Sequence, residues 1–209
     1  MSTVAIEKLT SERRRQLTRD ALVDAAAQVF VTRGFNGASL DEIAETAGFT
    51  RGAIYKHFDG KEDLFLAVFD RVNEQTLQAF AEILEPDAPA VFFDVRTLAA
   101  AWTKLVGRSD LITLDLEYRL YELRNPSVRE RSAAQRRRNR EMITQFIEDH
   151  SAAAGVTLKL PAHTVVSILL ATSDGFANAA LFVPAEADLY EVFLELIMPS
   201  LFTAAPNPE

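Results

Sequence analysis

The sequence predicts an all-α fold in two parts, a three-helix N-terminal head and a larger C-terminal helical domain. Three observations predict it. Apolar residues recur at steps of three and four along most of the 209 residues, and no stretch alternates with a period of two. Cap and stop residues punctuate these stretches. Ser39 with Glu42 and Ser127 with Glu130 form capping boxes, and Gly34, Gly48, Gly107 and Gly155 sit where helices end. Pro86 and Pro89 mark the boundary between the parts. The division is a head over 1–60, a connecting helix over 61–84, and the larger domain over 85–209.

Residues 1–10 read as a disordered arm. The first helix starts near Thr10 or Ser11 and ends at Gly34, with Leu17, Ala21, Leu22, Ala25, Val29 and Phe30 as its core stripe. Arg13, Arg14 and Arg15 occupy its first turn, where the helix dipole disfavours cations. A nearby phosphate would offset that; a solvated charge run is the alternative. Ser39 caps the next helix, whose apolar face is Leu40, Ile43, Ala44 and Ala47. Gly48 supplies a left-handed stop, and Phe49 is expected to plug the corner. Thr50 is again a cap-type residue. The helix after it, Arg51 to Phe58, sets a buried side (Ile54, Phe58) against a polar side of Thr50, Arg51, Ala53, Tyr55, Lys56 and His57. Gly60 breaks it, and Lys61 opens a helix to Leu84 with Leu64, Phe65, Val68, Phe69 and Val72 on its apolar face.

A short scaffold helix, a tight turn and a second short helix make a DNA-reading unit. The pattern Val29-Phe30, Arg33-Gly34-Phe35, Ser39-Leu40, Ile43-Ala44, Ala47-Gly48, Tyr55, His57-Phe58, Lys61-Glu62 and Leu64 resembles the TetR (tetracycline-repressor-like) family of bacterial transcription regulators. The resemblance covers roughly the first third of the chain. It implies a homodimer in which the last two long helices form a four-helix bundle across a two-fold axis. It also implies a second helix that enters the major groove of double-stranded operator DNA. Arg51 can fork onto a guanine edge and Ala53 can touch a thymine methyl. Thr50 reaches base or phosphate, and Lys56 either. Tyr55, His57 and Lys61 match the family's backbone-positioning residues.

Beyond Pro86 the reading stays helical. Ala90 to Val106 is apolar, with Gly107 closing it and Ser109 capping the next helix. That helix, Asp110 to Arg124, carries two apolar stripes, and only Asp115, Arg119 and Glu122 look solvent-facing. Ser127 opens a long helix to about Ala154. Pro161 suits the first turn of another, to about Phe182, and Asp188 caps a last one to about Phe202, bent or stopped at Pro199. The tail TAAPNPE reads as disordered. The final helix leaves mainly Glu191 and Glu195 for water, more apolar surface than one chain easily buries.

Two long helices of the larger domain each carry a line of polar groups. These groups face inward or toward a partner and need hydrogen bonds there. The inward reading is a ligand chamber. Its walls would be Phe93, Trp102, Leu114, Tyr118 and Tyr121, with Gln135, Asn139 and Phe146 from one long helix and Ser167, Asp174 and Asn178 from the other. A small apolar or aromatic effector fits such walls. An ordinary core with internal hydrogen bonds, or a polar interface, is the alternative. The run Arg129 to Arg140 lacks interleaved aromatics for base stacking and reads as a solvated face, with pairing to neighbouring acids as its possible use.

Composition narrows the classes. With no cysteine there is no disulfide, thiol nucleophile or thiolate metal site. His57, His150 and His163 have no ligand spacing. His163, Ser167 and Asp174 lie in a row on one helix and cannot converge as a triad. The chain is therefore expected not to be an enzyme and to need no cofactor or metal. No run of about 18 apolar residues and no signal peptide is seen, so the expected place is the bacterial cytoplasm, on the nucleoid when DNA-bound.

The net charge of −8 divides unevenly: residues 1–70 hold nine Lys and Arg against eleven Asp and Glu. An acidic whole with a basic reading edge would weaken nonspecific DNA binding and leave specific contacts to decide. The leading function is a repressor released from a near-palindromic operator by a small molecule. The rivals are a ligand-independent or activating regulator of the same fold, and a helical protein-interaction scaffold without DNA binding.

Overall fold

A computed structural model describes residues 10–83, 96, 108–153, 155–184 and 188–204. The arm before Thr10, most of the helix expected over 90–106, and therefore Phe93 and Trp102, lie outside the described residues, as do the prolines at 86 and 89. The chain divides into two compact units after Phe69.

The head begins with α1, Ser11–Gly37. Thr10 caps it, its side-chain hydroxyl accepting from the Arg13 amide at 3.1 Å. Helical geometry breaks at Gly34, where φ is +71° and ψ is 170°, a conformation open to glycine. The buried face is Leu22, Val23, Ala25, Ala26, Val29 and Phe30. Leu17, expected in that stripe, is exposed instead. Helix α2, Leu40–Thr46, is capped by Ser39, whose Oγ accepts from the Glu42 amide at 3.1 Å. Gly48 turns the chain at φ +74°. Phe49 does not plug the corner; it stands exposed.

Helix α3 is only Arg51–Ile54. The expected continuation to Phe58 is a tighter turn, with the Lys56 amide donating to Ala53 O and the His57 amide to Ile54 O. Ile54 and Phe58 are buried as expected. Helix α4, Lys61–Ile83, brings Leu64, Phe65 and Val68 onto the same core. There Phe30, Phe35 and Phe65 meet pairwise with ring centres 5.1 to 6.0 Å apart. This aromatic triple sets how α1 and α4 flank the short helix pair.

The second unit holds the rest of α4 and then α5, Ser109–Arg124, α6, Pro126–Ala153, α7, Ala162–Phe182, and α8, Leu189–Leu201. Neighbours α5, α6 and α7 pack on one another, and α7 on α8. Three starts differ by a residue from the reading. Arg108, not Ser109, holds the cap position of α5. Pro126 opens α6 ahead of Ser127, and Pro161 precedes α7 rather than opening it. Pro199 lies inside α8, near its end.

The face assignment of α5 is corrected. Glu122 is 4% exposed, while Leu120 and Leu123 are 57% and 66% exposed. The strip read as solvent-facing turns inward because cations meet it: Arg136 of α6 donates to Glu122 at 2.5 Å. Arg119 bridges Asp115 at 2.5 Å and Asp174 of α7 at 2.7 Å. Burial pushes the Asp115 carboxyl above its ordinary value, against the pull of Arg119.

A second correction concerns strands. Residues Val156–Leu158 (β1) pair antiparallel with Phe202–Ala204 (β2), in the register Val156↔Ala204, Thr157↔Thr203 and Leu158↔Phe202. The start of the tail read as disordered is thus β-structure. Val156 and Phe202 join Val165, Tyr190, Leu194, Met198 and Leu201 in one core.

Candidate nucleic-acid interface

Local sequence explains the surface that α3 presents. Ser39 and Gly48 fix the two ends of α2, and burial of Ile43, Ala44, Ile54 and Phe58 orients the pair. With Ile54 and Phe58 turned inward, Thr50, Arg51, Tyr55 and Lys56 are exposed, and Ala53 and His57 are half-buried. The predicted reading residues therefore share one outer surface, except Lys61.

Lys61 is engaged elsewhere. Its Nζ donates to the carbonyls of Ala38 at 3.1 Å and Asn36 at 3.4 Å, and lies 4.7 Å from the centre of the Phe35 ring. It neutralises the carbonyl-rich end of α1 and stacks its charge on an aromatic face. A phosphate would have to share this ammonium.

Arg51 donates through Nη1 to Asp41 Oδ2 and through Nη2 to the Tyr55 hydroxyl, both at 3.0 Å. Its guanidinium also lies 5.7 Å from the centre of the Tyr55 ring. The hydroxyl of Tyr55 and the charge of Asp41 raise the Arg51 pKa, so it stays a cation. Thr50 holds the cap position of α3 without a side-chain cap bond.

His57 lies beside Phe58, ring centres 6.3 Å apart. Burial lowers its pKa, and Arg15, Arg19 and Lys56 lower it further. The two arginines come from α1, and Arg19 stacks 5.1 Å from the centre of the Phe58 ring. So the first turns of α1 and the end of the α3 segment form one positive edge. Arg19 was missed in the sequence because nothing local ties it to Phe58. The acids of α2 stand partly neutralised: Asp41 by Arg51 and Glu42 by Arg33, at 3.0 Å each.

In the larger domain the predicted chamber residues fare differently. Leu114 and Tyr118 are buried, and Tyr121 stacks on Tyr118 at 6.1 Å. Tyr118 and Ser132 share a buried hydrogen bond at 3.4 Å. The polar candidates find protein partners. Gln135 donates to Asp70 of α4 and accepts from Arg138. Ser167 Oγ donates to His163 O and accepts from Arg140, each at 2.7 Å. Asp174 is exposed and paired with Arg119. Phe146, half-buried, stacks on His150 at 3.9 Å, and Asn139 and Asn178 are half-buried. A groove of about 340 Å³ lies on α6 and the start of α7, lined by Arg137, Arg140, Glu141, Thr144, Gln145, Glu148 and His163, none of them predicted. The Arg129–Arg140 run is partly paired, through Arg136, Arg138 and Arg140.

Residues 22–68 match the family model described as bacterial regulatory proteins, tetR family. A member of the TetR family from Streptomyces coelicolor A3 superposes with a TM-score of 0.58 at 25% identity, covering 90% of this chain and 99% of that one. Over residues 22–68 the chain is similar to the TetR family. Among curated relatives, the transcriptional repressor BepR of Brucella suis is 54% identical over 56 residues, 27% of each chain. The transcriptional activator FasR of Mycolicibacterium smegmatis is 32% identical over 108 residues, 47% of this chain and 49% of FasR. The chain thus spans between about a quarter and a half of the length of these relatives. Those relatives are transcription regulators by name, not enzymes.

Proposed function

We propose that this chain is a TetR-family, sequence-specific DNA-binding transcriptional regulator that acts as a homodimer. The observation that carries the reading is the outer surface of the α3 segment. Thr50, Arg51, Tyr55 and Lys56 face outward over buried Ile54 and Phe58, with Arg15 and Arg19 beside His57. Arg51 and Ala53 are the base readers, Tyr55, His57 and Lys56 the positioners, and Thr50 serves either purpose. Lys61 contributes through α1 and, at most, shares its ammonium with a phosphate.

The dimer reading is supported by apolar surface on α7 and α8. Phe182 is 80% exposed and Leu196 74%, with Val183, Leu189 and Val192 also exposed. Among the described residues α7 is also long and apolar enough to cross a membrane, with a mean hydropathy of 1.5. Asp174 and Asn178 within it, and the paired second helix, favour a second copy over lipid. Two heads on a two-fold axis then meet successive major grooves of a near-palindromic operator.

Repression by operator occupancy is the output we assign, with release by a small apolar or aromatic effector. An effector between α5, α6 and α7 must displace protein pairs such as Asp174 with Arg119 or Gln135 with Asp70. Asp70 lies on α4, the helix that continues into the head, so such displacement has a route to it. Activation is the second reading, favoured by FasR, an activator by name.

Selection of bound fragments from a random DNA pool, followed by mobility shift, tests the proposal. A near-palindromic consensus whose affinity falls with salt supports it. Equal retention of all sequences, or binding indifferent to salt, overturns it. Sedimentation of the free and bound protein tests the dimer.

A further inference from the structure

Gly52 is a residue of α3 that nothing among the described residues calls for. It lies in helical backbone, and its φ is not positive, unlike those of Gly34, Gly48 and Gly155. A Cβ added there would meet only Thr50 Oγ1, at 3.8 Å, an ordinary contact distance. Alanine therefore fits the position without strain, and a glycine within a helix costs stability relative to alanine. Gly52 is also exposed. It precedes buried Ile54 by two residues, about 200° round the helix, and so stands on the side farthest from the core. The proposed base readers Arg51 and Ala53 stand on either side of it.

We propose that Gly52 is a specificity-determining residue, whose missing side chain lets the foremost point of α3 come close to the base edges. The role rests on the DNA-reading function proposed above. Base edges line the floor of the major groove, and a hydrogen bond to them holds only within about 2.7–3.2 Å. A methyl at the foremost point projects about 1.5 Å beyond the Cα. With the helix pressed onto the bases, that displacement takes the contacts of Arg51 and Ala53 out of range. Lys56, on a flexible four-carbon stem, adapts to the same displacement by changing rotamer, so its hold on a phosphate survives. The bare backbone at Gly52 thus favours sequence readout over general attachment. Its cost falls on the free protein and its gain on the operator complex.

The test measures binding of the full chain to the selected operator and to a random-sequence duplex, for wild type, Gly52→Ala and Gly52→Leu, with thermal melting of each. Gly52→Ala is expected to melt at the wild-type temperature or up to about 3 °C above it. Its operator affinity is expected to fall about tenfold to a hundredfold, and that of Gly52→Leu further. Affinity for the random duplex stays within about twofold of wild type, because it draws on phosphate contacts. Operator binding is thus lost from a protein at least as stable as wild type, which a merely structural glycine does not produce. Operator binding by Gly52→Ala at wild-type strength or above overturns the inference. So do equal losses on both duplexes, or a melting temperature of Gly52→Ala below that of wild type, and each of these leaves the regulator reading intact. If wild type prefers no sequence at all, the regulator reading falls, and the role of Gly52 falls with it.

Discussion

At the residue scale, His57 sits where three cations press on an imidazole that burial already disfavours charging. Its folded pKa lies below the ordinary value of 6.5. The stability it contributes is therefore present above about pH 6.5 and is lost as pH falls from there toward the depressed value. A DNA phosphate against the same ring reverses the balance, raising the pKa in the complex relative to the free protein. Operator affinity is thus expected to rise as pH falls from about 8 to about 6, by up to about tenfold for each unit of difference. His57→Gln flattens the profile. A titration of affinity against pH at constant ionic strength checks this, and a flat wild-type profile removes His57 from the contact set. Lys61 marks the limit of what a sequence reveals at this scale. Its spacing matches a phosphate contact, yet its ammonium serves the carbonyls of Asn36 and Ala38 across more than twenty residues of chain. The Asp41 partner of Arg51, ten residues back, was hidden for the same reason.

At the scale of the element, the head was legible because its signals are local. Ser39 and Gly48 act within one turn of where they stand. A methyl group added at Gly48 would meet nothing within 4 Å, so Gly48→Ala isolates backbone strain at φ +74°. It is expected to cost about 1–2 kcal/mol, and Gly48→Asn less. Ser39→Ala is expected to cost about 1 kcal/mol through the lost cap bond. Urea denaturation of the three variants checks both values. If Gly48→Ala matches wild type, the left-handed turn is not strained. The larger domain was less legible. Helix α5 is apolar on two sides, so its period cannot say which side is inside. Arg136 decided, by drawing Glu122 into the packing and leaving Leu120 and Leu123 outside. That choice leaves Glu122 Oε1 buried without a hydrogen-bond partner among the described residues, a cost the single arginine does not remove. The strands β1 and β2 have three residues each, too few for a period, and each needs a partner more than forty residues away.

At the scale of the whole molecule, the net charge of −8 and the exposed apolar surface of α7 and α8 make separate demands. An acidic chain is expected to bind DNA weakly without sequence preference, so the proposed dimer would rely on two heads acting together. Phe182→Glu and Leu196→Glu place like charges where a second copy is proposed to pack. Each is expected to shift the protein toward monomer in sedimentation and to weaken operator binding at least tenfold, while binding to a half-site is retained. Unchanged assembly in both variants places the interface elsewhere. The pairing of β1 with β2 bears on this step. It joins the chain just before α7 to the chain just after α8, so the two helices form a closed loop pinned at its base. Lys159 reinforces the pin, its amide donating to Leu201 O at 2.9 Å and its Nζ to Pro199 O at 3.0 Å. A surface held in this way is ordered before any partner arrives. The entropy of arranging α7 against α8 is then spent during folding, and less of it is charged to association. Three paired residues of sheet would so act on the concentration at which the two proposed copies find each other.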